Sequence, residues 1–389
     1  MNNKLSQKLN SIMDKYRVIG LQAAAIFEGN VIWSGSYGFR SLETMDQVTE
    51  KTMFRIASIT KLFTATAVMK LVENGILNID EDISYYLKFQ IRNPNFPNEP
   101  ITLRQLMTHT ASLTNDEESD GIYALYIKEG YSSNSPTLKD LLIEGGRFYK
   151  KEIWGNWKPG EPNHWNYSNI GSIICSAIVE TVSGLRFDQY LHKNIFRPLG
   201  IVNASCSMFG IKEEHELANL YEYDQVNNQF KLTIEDTNLH PLTKSLNHTF
   251  PGQHGGLFEP QGGLRISALE LSKFLIAHMY DGENLLHSKT SKMMKSIHWS
   301  RDSKDHFFTK MGLQFHISHN FLENYDAMIG HAGEAYGLIS NLYFEDEKKF
   351  GIVFITNGSV FGHESNNRFD VEKEIANSIY SHILKDLIE

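Results

Sequence analysis

The sequence predicts an α+β fold, an antiparallel sheet flanked by terminal helices with a mainly helical lobe inserted between its early and late strands. Three observations carry that prediction. Strand-like runs gather towards the two ends of the chain, an apolar run at 58–74 has the pattern of a buried helix, and the stretch from about 76 to 300 is dominated by helix start and stop signals.

Taken in order, Leu5, Leu9, Ile12, Met13 and Tyr16 form a helical stripe interrupted by polar residues. Residues 21–27 and 31–39 then read as two strands joined by the hairpin turn Glu28, Gly29 and Asn30, and Ala23, Ala24 and Ala25 suit close packing against a helix. From Ser58 the pattern is helical and apolar on most faces (Leu62, Phe63, Ala65, Val68, Leu71, Val72) until Gly75 stops it, so this helix should be buried. Further helix signals are Thr102 before Leu103, the run 169–181 before Gly184, the run 187–196 before Pro198, and Ser267 with Glu270 as a capping box. Strand character returns at 311–317, 338–344 and 350–356, and a last amphipathic helix carries Val371, Ile375, Ile379, Ile383 and Leu387. Residues 1–57 and 301–389 are thus expected to form a sheet lobe, 58–300 a mainly helical lobe, and a site is expected in the cleft between them.

Composition narrows the chemistry. The chain has 389 residues, of which 41% are hydrophobic and 21% charged, the make-up of an ordinary globular protein. Lys plus Arg number 37 against 46 Asp plus Glu, a formal charge of -9, so there is no basic field for nucleic acid. The two cysteines, Cys175 in an apolar run and Cys206, exclude a disulfide framework and a Cys-rich zinc site. No apolar segment resembles a signal peptide or a membrane span, which gives a cytoplasmic expectation with no membrane partner. The acidic stretch 115–121 lacks the periodic ligand spacing of a calcium loop and reads as a solvated loop.

Several common signatures are missing, among them a phosphate-binding Gly-rich loop, a dinucleotide fingerprint and a Gly-x-Ser-x-Gly elbow. His215 and Glu216 begin like a zinc-protease helix, but Asn219 stands where the second histidine is required, and no metal or other cofactor is expected. What remains is Ser58-Ile59-Thr60-Lys61 at the start of the buried helix. Residues three apart on a helix share a face, so the Lys61 amine can lie beside Ser58 Oγ, and a serine needs such help because a free hydroxyl is a poor nucleophile. By itself the pattern also fits an N-capping serine followed by a solvated lysine.

Two more elements follow in order, Tyr167-Ser168-Asn169 at the start of another helix and His331-Ala332-Gly333 before a late strand. Together the three resemble the Ser-x-x-Lys, Tyr-x-Asn and Lys/His-x-Gly elements of the serine β-lactamase and penicillin-binding-protein family. The segments 33–38, 52–58, 101–110, 197–200 and 262–264 resemble family segments in family order, from about residue 20 to the last strand. The resemblance implies a single β-lactamase/transpeptidase-like catalytic unit. It makes Ser58 the acylated nucleophile, Lys61 its proton partner and Tyr167 the general base, with Asn169 holding substrate or Lys61. It also implies an oxyanion hole from the backbone N–H groups of Ser58 and Glu334, and close approach of substrate to the strand at Gly333. Tyrosine normally titrates near about 10, and cations at Lys61 and His331 are expected to pull Tyr167 down.

Departures from the antibiotic-facing members matter for substrate. Where they have Lys-Thr-Gly this chain has His331-Ala332-Gly333, so the hydroxyl is absent and the cation is only partial, which weakens recognition of a β-lactam or a free C-terminal carboxylate. Histidine there resembles the esterase, D-aminopeptidase and some carboxypeptidase branches. No counterpart of the class A deacylating glutamate is found, and the segment from His109 to Leu113 lacks the family's usual glycine. The expected function is a serine hydrolase acting through an acyl-enzyme on an ester or amide, such as a D-amino-acid-containing peptide, with a small molecule or peptide as its partner. The alternatives are a β-lactamase or penicillin-binding protein of weak turnover, or a non-catalytic binding or assembly protein on the same fold. The loops 115–136 and 240–261 are expected to wall the pocket, with His240, His248 and His254 either lining it or forming a surface cluster.

Overall fold

The computed structural model describes residues 2–389 except 115–120, 123–124, 127, 130–134, 208–210, 212, 214–215, 236–249, 303–307, 323–324 and 326. Among the described residues its main sheet has nine strands, all antiparallel, in the order Asp46–Gln47, Asn30–Ser41, Gly20–Phe27, Phe350–Thr356, Leu338–Glu345, Met328–Ala335, His316–Ser318, Lys310–Met311 and Trp299–Ser300. The central strand Gly20–Phe27 shows why the sheet is a middle layer. Leu21, Ala23 and Ala25 face one core, Ala24 and Ile26 face another, and the partner strand divides Ile352 and Phe354 from Val353 and Ile355 in the same way.

The first of those cores lies under the terminal helices. Leu5, Leu9, Ile12, Met13 and Tyr16 of Asn2–Tyr16 meet Val371, Ile375, Ala376 and Ile379 of Asp370–Ile379 there. The opposite face carries the helix Ala268–Met279 and, beyond it, Thr60–Glu73, which is buried on almost all sides and packs on Asn169–Ser183. On that face the small side chain of Ala24 leaves room for Ala268–Met279 to lie close on the sheet.

Several expectations need correction. The run 311–317 is not one strand: Lys310–Met311 and His316–Ser318 are separated by a turn in which Gly312 N–H donates to Phe315 O (2.8 Å) and Gln314 adopts φ +65°. The turn exists because Leu313 and Gln314 donate backbone hydrogen bonds to Met294 and Met107 of the helical lobe, which a flat strand could not reach. The last helix widens at Tyr380–Leu384, so its stripe rotates onto Leu384, which is fully buried, and leaves Leu387 exposed. Ser267 caps its helix by accepting from Glu270 N–H, but the Glu270 carboxylate accepts from Val202 N–H and Lys273 instead of closing a capping box. The middle of the chain also holds a hairpin, Leu220–Asp224 with Gln229–Ile234, that helix signals did not anticipate. The segment 115–120 lies outside the described residues.

Candidate active site

Ser58 sits at a junction that the sheet holds in place. The short strand Phe54–Arg55 pairs with Arg265–Ile266, Ile56 N–H donates to Leu264 O, and Ser340 Oγ of the main sheet donates to Ile56 O (2.8 Å). Ala57 then adopts φ +42°, a costly conformation for a residue with a Cβ, and turns the chain into the 3-10 segment Ala57–Ile59 that carries Ser58 into the buried helix. Ser58 is half-buried and does not cap the helix. One turn on, Lys61 is fully buried, and its Nζ donates to Ser58 Oγ (3.0 Å) and to Gln261 O (2.9 Å) while lying 4.7 Å from the centre of the Tyr167 ring. The bland alternative of a solvated lysine is therefore wrong for Lys61.

Tyr167 is held from the other side by His109. The His109 carbonyl accepts from Asn166 N–H (3.0 Å), its Nδ1 accepts from Ser168 N–H (3.1 Å), and its ring lies 4.4 Å from that of Tyr167. An acceptor at Nδ1 fixes His109 as the neutral tautomer with its proton on Nε2. His331 is buried beside this group, 6.4 Å from Tyr167 between ring centres and 3.9 Å from His316.

Gly333 is the reason the strand can touch the Ser58 turn. A Cβ there would stand 2.4 Å from Ser340 Oγ, 2.5 Å from Ile56 O and 3.0 Å from Ser58 N. Gly333 thus brings the strand up to the Ser58 N–H, and Glu334 is the next residue along it. Because His316–Ser318 pairs only with Met328, Ile329 and Gly330, residues from His331 to Ala335 have no strand partner on that side among the described residues. That side opens on a cavity of about 400 Å³. Ser58, Tyr167, His331, Gly333 and Glu334 line it, together with His316 and the apolar Trp165, Phe308 and Phe369. Lys61 lies behind this wall, and Asn169, the first residue of its helix and half-buried, is not on it.

The electrostatics differ from expectation at two positions. His331 is not a partial cation: burial, reinforced by the positive charge of Lys61, pushes it down to about 3, so it is neutral at pH 7. Tyr167 is not pulled down either; burial pushes the phenol above its ordinary value, opposed only by the neighbouring Ser58 hydroxyl. The resting tyrosine is a phenol. Glu334 is pushed up to about 7 by desolvation and by the carboxylates of Glu372 and Glu364.

Residues 5–376 match the beta-lactamase family. The chain belongs to that family. Among curated relatives, Protein flp of Staphylococcus aureus (strain N315) is 25% identical over 222 residues, covering 56% of this chain and 41% of that protein. The chain thus spans about two fifths of the length of the curated relatives it matches first. Among solved structures, the octameric penicillin-binding protein homologue from Pyrococcus abyssi gives a TM-score of 0.75 at 23% identity, covering 99% of this chain and 77% of that one. The D-amino acid amidase from Ochrobactrum anthropi SV3 gives 0.74 at 20% identity, covering 100% and 99%. These structural likenesses establish the fold, which is that of the beta-lactamase family.

Sequence reasoning missed six members of the cavity wall that matter below: Trp165, Phe308, His316, Glu364, Phe369 and Glu372. Only Trp165 left a signal, since it lies two residues before Tyr167 on an extended segment and so shares its side. His215, His240 and His248 lie outside the described residues. His254 is buried with Nδ1 3.0 Å from Pro136 O and is neither on the cavity wall nor at the surface. None of the described residues of 115–136 or 240–261 lines the cavity. Among the described residues no group of three His, Cys, Asp or Glu side chains is placed to hold a metal ion, and no single helix is long and apolar enough to cross a membrane.

Proposed function

We propose that this protein is a serine hydrolase that cleaves an ester or amide through an acyl-enzyme on Ser58. The observation that carries the reading is the 3.0 Å contact between Lys61 Nζ and Ser58 Oγ, with Tyr167 beside them on the wall of a cavity bordered by a strand edge that has no partner among the described residues. Attack needs a base for the serine proton. With Tyr167 a phenol at rest and Lys61 carrying positive charge, the Lys61–Tyr167 pair must first lose one proton to solvent. It then takes the Ser58 proton as Oγ bonds to the substrate carbonyl, and returns it to the leaving group when the tetrahedral intermediate collapses. Water repeats the same cycle on the acyl-enzyme. The N–H groups of Ser58 and Glu334 stabilise the oxyanion, and Asn169, behind the cavity wall, orients Lys61.

The fold likeness to a D-amino acid amidase supports placing the substrate among D-amino-acid amides, esters or peptides. A β-lactam or C-terminal carboxylate is a poorer fit, because Ala332 has no hydroxyl and His331 is neutral. Labelling with a fluorophosphonate, followed by intact mass and peptide mapping, tests the reading. The wild type should gain one adduct on Ser58 and Ser58→Ala none; an unlabelled wild type, or equal labelling of the variant, removes the assignment.

A further inference from the structure

His331 is neutral, and its Nδ1 lies 2.5 Å from Ala332 O. A carbonyl oxygen only accepts, so Nδ1 holds the proton and Nε2 offers a lone pair. His331 lines the cavity and is 1% exposed, and its buried Nε2 has no hydrogen-bond partner among the described residues. Leaving such an atom unmatched costs free energy, so the position favours an incoming donor. A substrate carboxylate has none to give; an ammonium has three.

The charges on the same wall agree. The described lining residues include three carboxylates, Glu334, Glu364 and Glu372, and neither Lys nor Arg. Glu372 is held in place, accepting from Asn341 Nδ2 (2.8 Å) and Phe369 N–H (2.8 Å), while Glu334 and Glu364 are exposed at the mouth. Of the nearby cations, Lys61 donates to Ser58 and Gln261, Arg301 lies 5.8 Å from the centre of the Trp165 ring, and Arg368 interacts electrostatically with Glu372 while donating to the carbonyls of Asn320 and Phe321. A second cavity of about 600 Å³ shares Glu334 and Phe369 with the first and extends the acidic lining with Glu222 and Asp224, opposed by Lys231.

Resting on the serine-hydrolase reading, we propose that the cavity takes an ester or amide bearing a protonated amine, whose N–H His331 Nε2 accepts and whose charge Glu334, Glu364 and Glu372 balance. The amine must be one that sits within the cavity when the scissile carbonyl is at Ser58, so amino-acyl amides and esters are the matching class, and their apolar side chains meet Trp165, Phe308 and Phe369.

The test compares D- and L-alanine p-nitroanilide with their N-acetyl and N-succinyl derivatives on the full chain, with Ser58→Ala as the baseline. The free amine should be turned over at least about tenfold better in kcat/KM than the acetylated form, the succinyl form worst, with the preference shrinking as salt is raised. The double variant Glu334→Gln, Glu364→Gln should lose most of that preference. Nitrogen-15 NMR should place the His331 proton on Nδ1. Ser58-dependent turnover that is equal or better with the neutral or anionic substrate overturns this proposal and leaves the hydrolase reading standing. If no member shows Ser58-dependent turnover, calorimetry of D-alanine amide against its N-acetyl form on Ser58→Ala still decides it: tighter binding of the free amine supports it, and equal or weaker binding overturns it.

Discussion

Replacing Gly333 by Ala tests the site through a single methyl group. The Cβ would stand 2.4 Å from Ser340 Oγ and 2.5 Å from Ile56 O, both under the limit that real contacts respect. Ser340 Oγ is itself tied to Ile56 O, so the hydroxyl cannot swing clear without giving up that bond, and the carbonyl belongs to the turn that presents Ser58. The strand and the turn must therefore part. Overpacking of this kind costs about 1–3 kcal/mol of stability. Parting by a few tenths of an ångström moves the N–H of Glu334 away from that of Ser58, and loss of one oxyanion donor typically costs about 10²–10³ in kcat. The matched control is Gly262→Ala, whose Cβ would meet Ala57 at an ordinary 3.7 Å. Ester turnover and thermal melting of both variants are the assay. Gly333→Ala should lose at least about 10² in kcat with a small drop in Tm, and Gly262→Ala should change little. Wild-type kcat in Gly333→Ala would refute the idea that strand and turn form one oxyanion site.

Lys61→Met keeps the volume of the buried side chain and removes the amine, so acylation should fall by about 10²–10⁴ while the fold is retained, measured by burst kinetics and melting. Tyr167→Phe should lose a similar factor, and the double variant should lose little more than either single one, because the pair acts on one proton. Since that pair must shed a proton before attack, kcat/KM for an N-acetylated substrate, which has no titrating amine, should rise from acid towards alkaline pH, and a profile that falls across neutrality would exclude it. Stability should change with pH as well. His109, His278, His316 and His331 are held below their ordinary value by burial, His278 and His331 at about 3, so their contribution is complete above about 6.5 and is lost as pH falls. Glu180 and Glu334, pushed up to about 7, act in the opposite sense between pH 4.5 and 7, but they are two against four, so the urea midpoint should fall from pH 7 to pH 5.

The parts of the fold legible in the sequence were those with a strong local period. The first helix's stripe and the alternation in the central strand each report one buried face, and Ser-x-x-Lys gives its own three-dimensional neighbour through the helical repeat. The interrupted strand near Gly312 was not legible, because the partners that bend it, Met294 and Met107, are remote in sequence. The hairpin Leu220–Asp224 with Gln229–Ile234 did carry a signal, alternating Tyr221 and Tyr223 against Glu222 and Asp224, that the surrounding helix punctuation obscured. His331 shows the sharper limit. Its residue type suggests a partial cation, but its charge is decided by burial and by Lys61, neither of which is written in the tripeptide His331-Ala332-Gly333.

That last point connects the nucleophile to the choice of substrate. A fully buried amine beside Ser58 is stabilised by two acceptors, Ser58 Oγ and Gln261 O, and by the face of the Tyr167 ring. Its positive charge then disfavours a second one nearby, and His331 and His316 both register that repulsion on top of their own desolvation. A lysine at position 331 would face the same repulsion on a long, flexible chain able to carry its charge towards solvent, whereas the short imidazole, tilted against His316 and bonded to Ala332 O, has no such escape. It is neutral because of where it is held, and a neutral imidazole with Nδ1 occupied can only accept. On the proposed reading, a fixed acceptor in place of a flexible cation reverses the sign of the group the cavity holds, in keeping with the three glutamates on its lining.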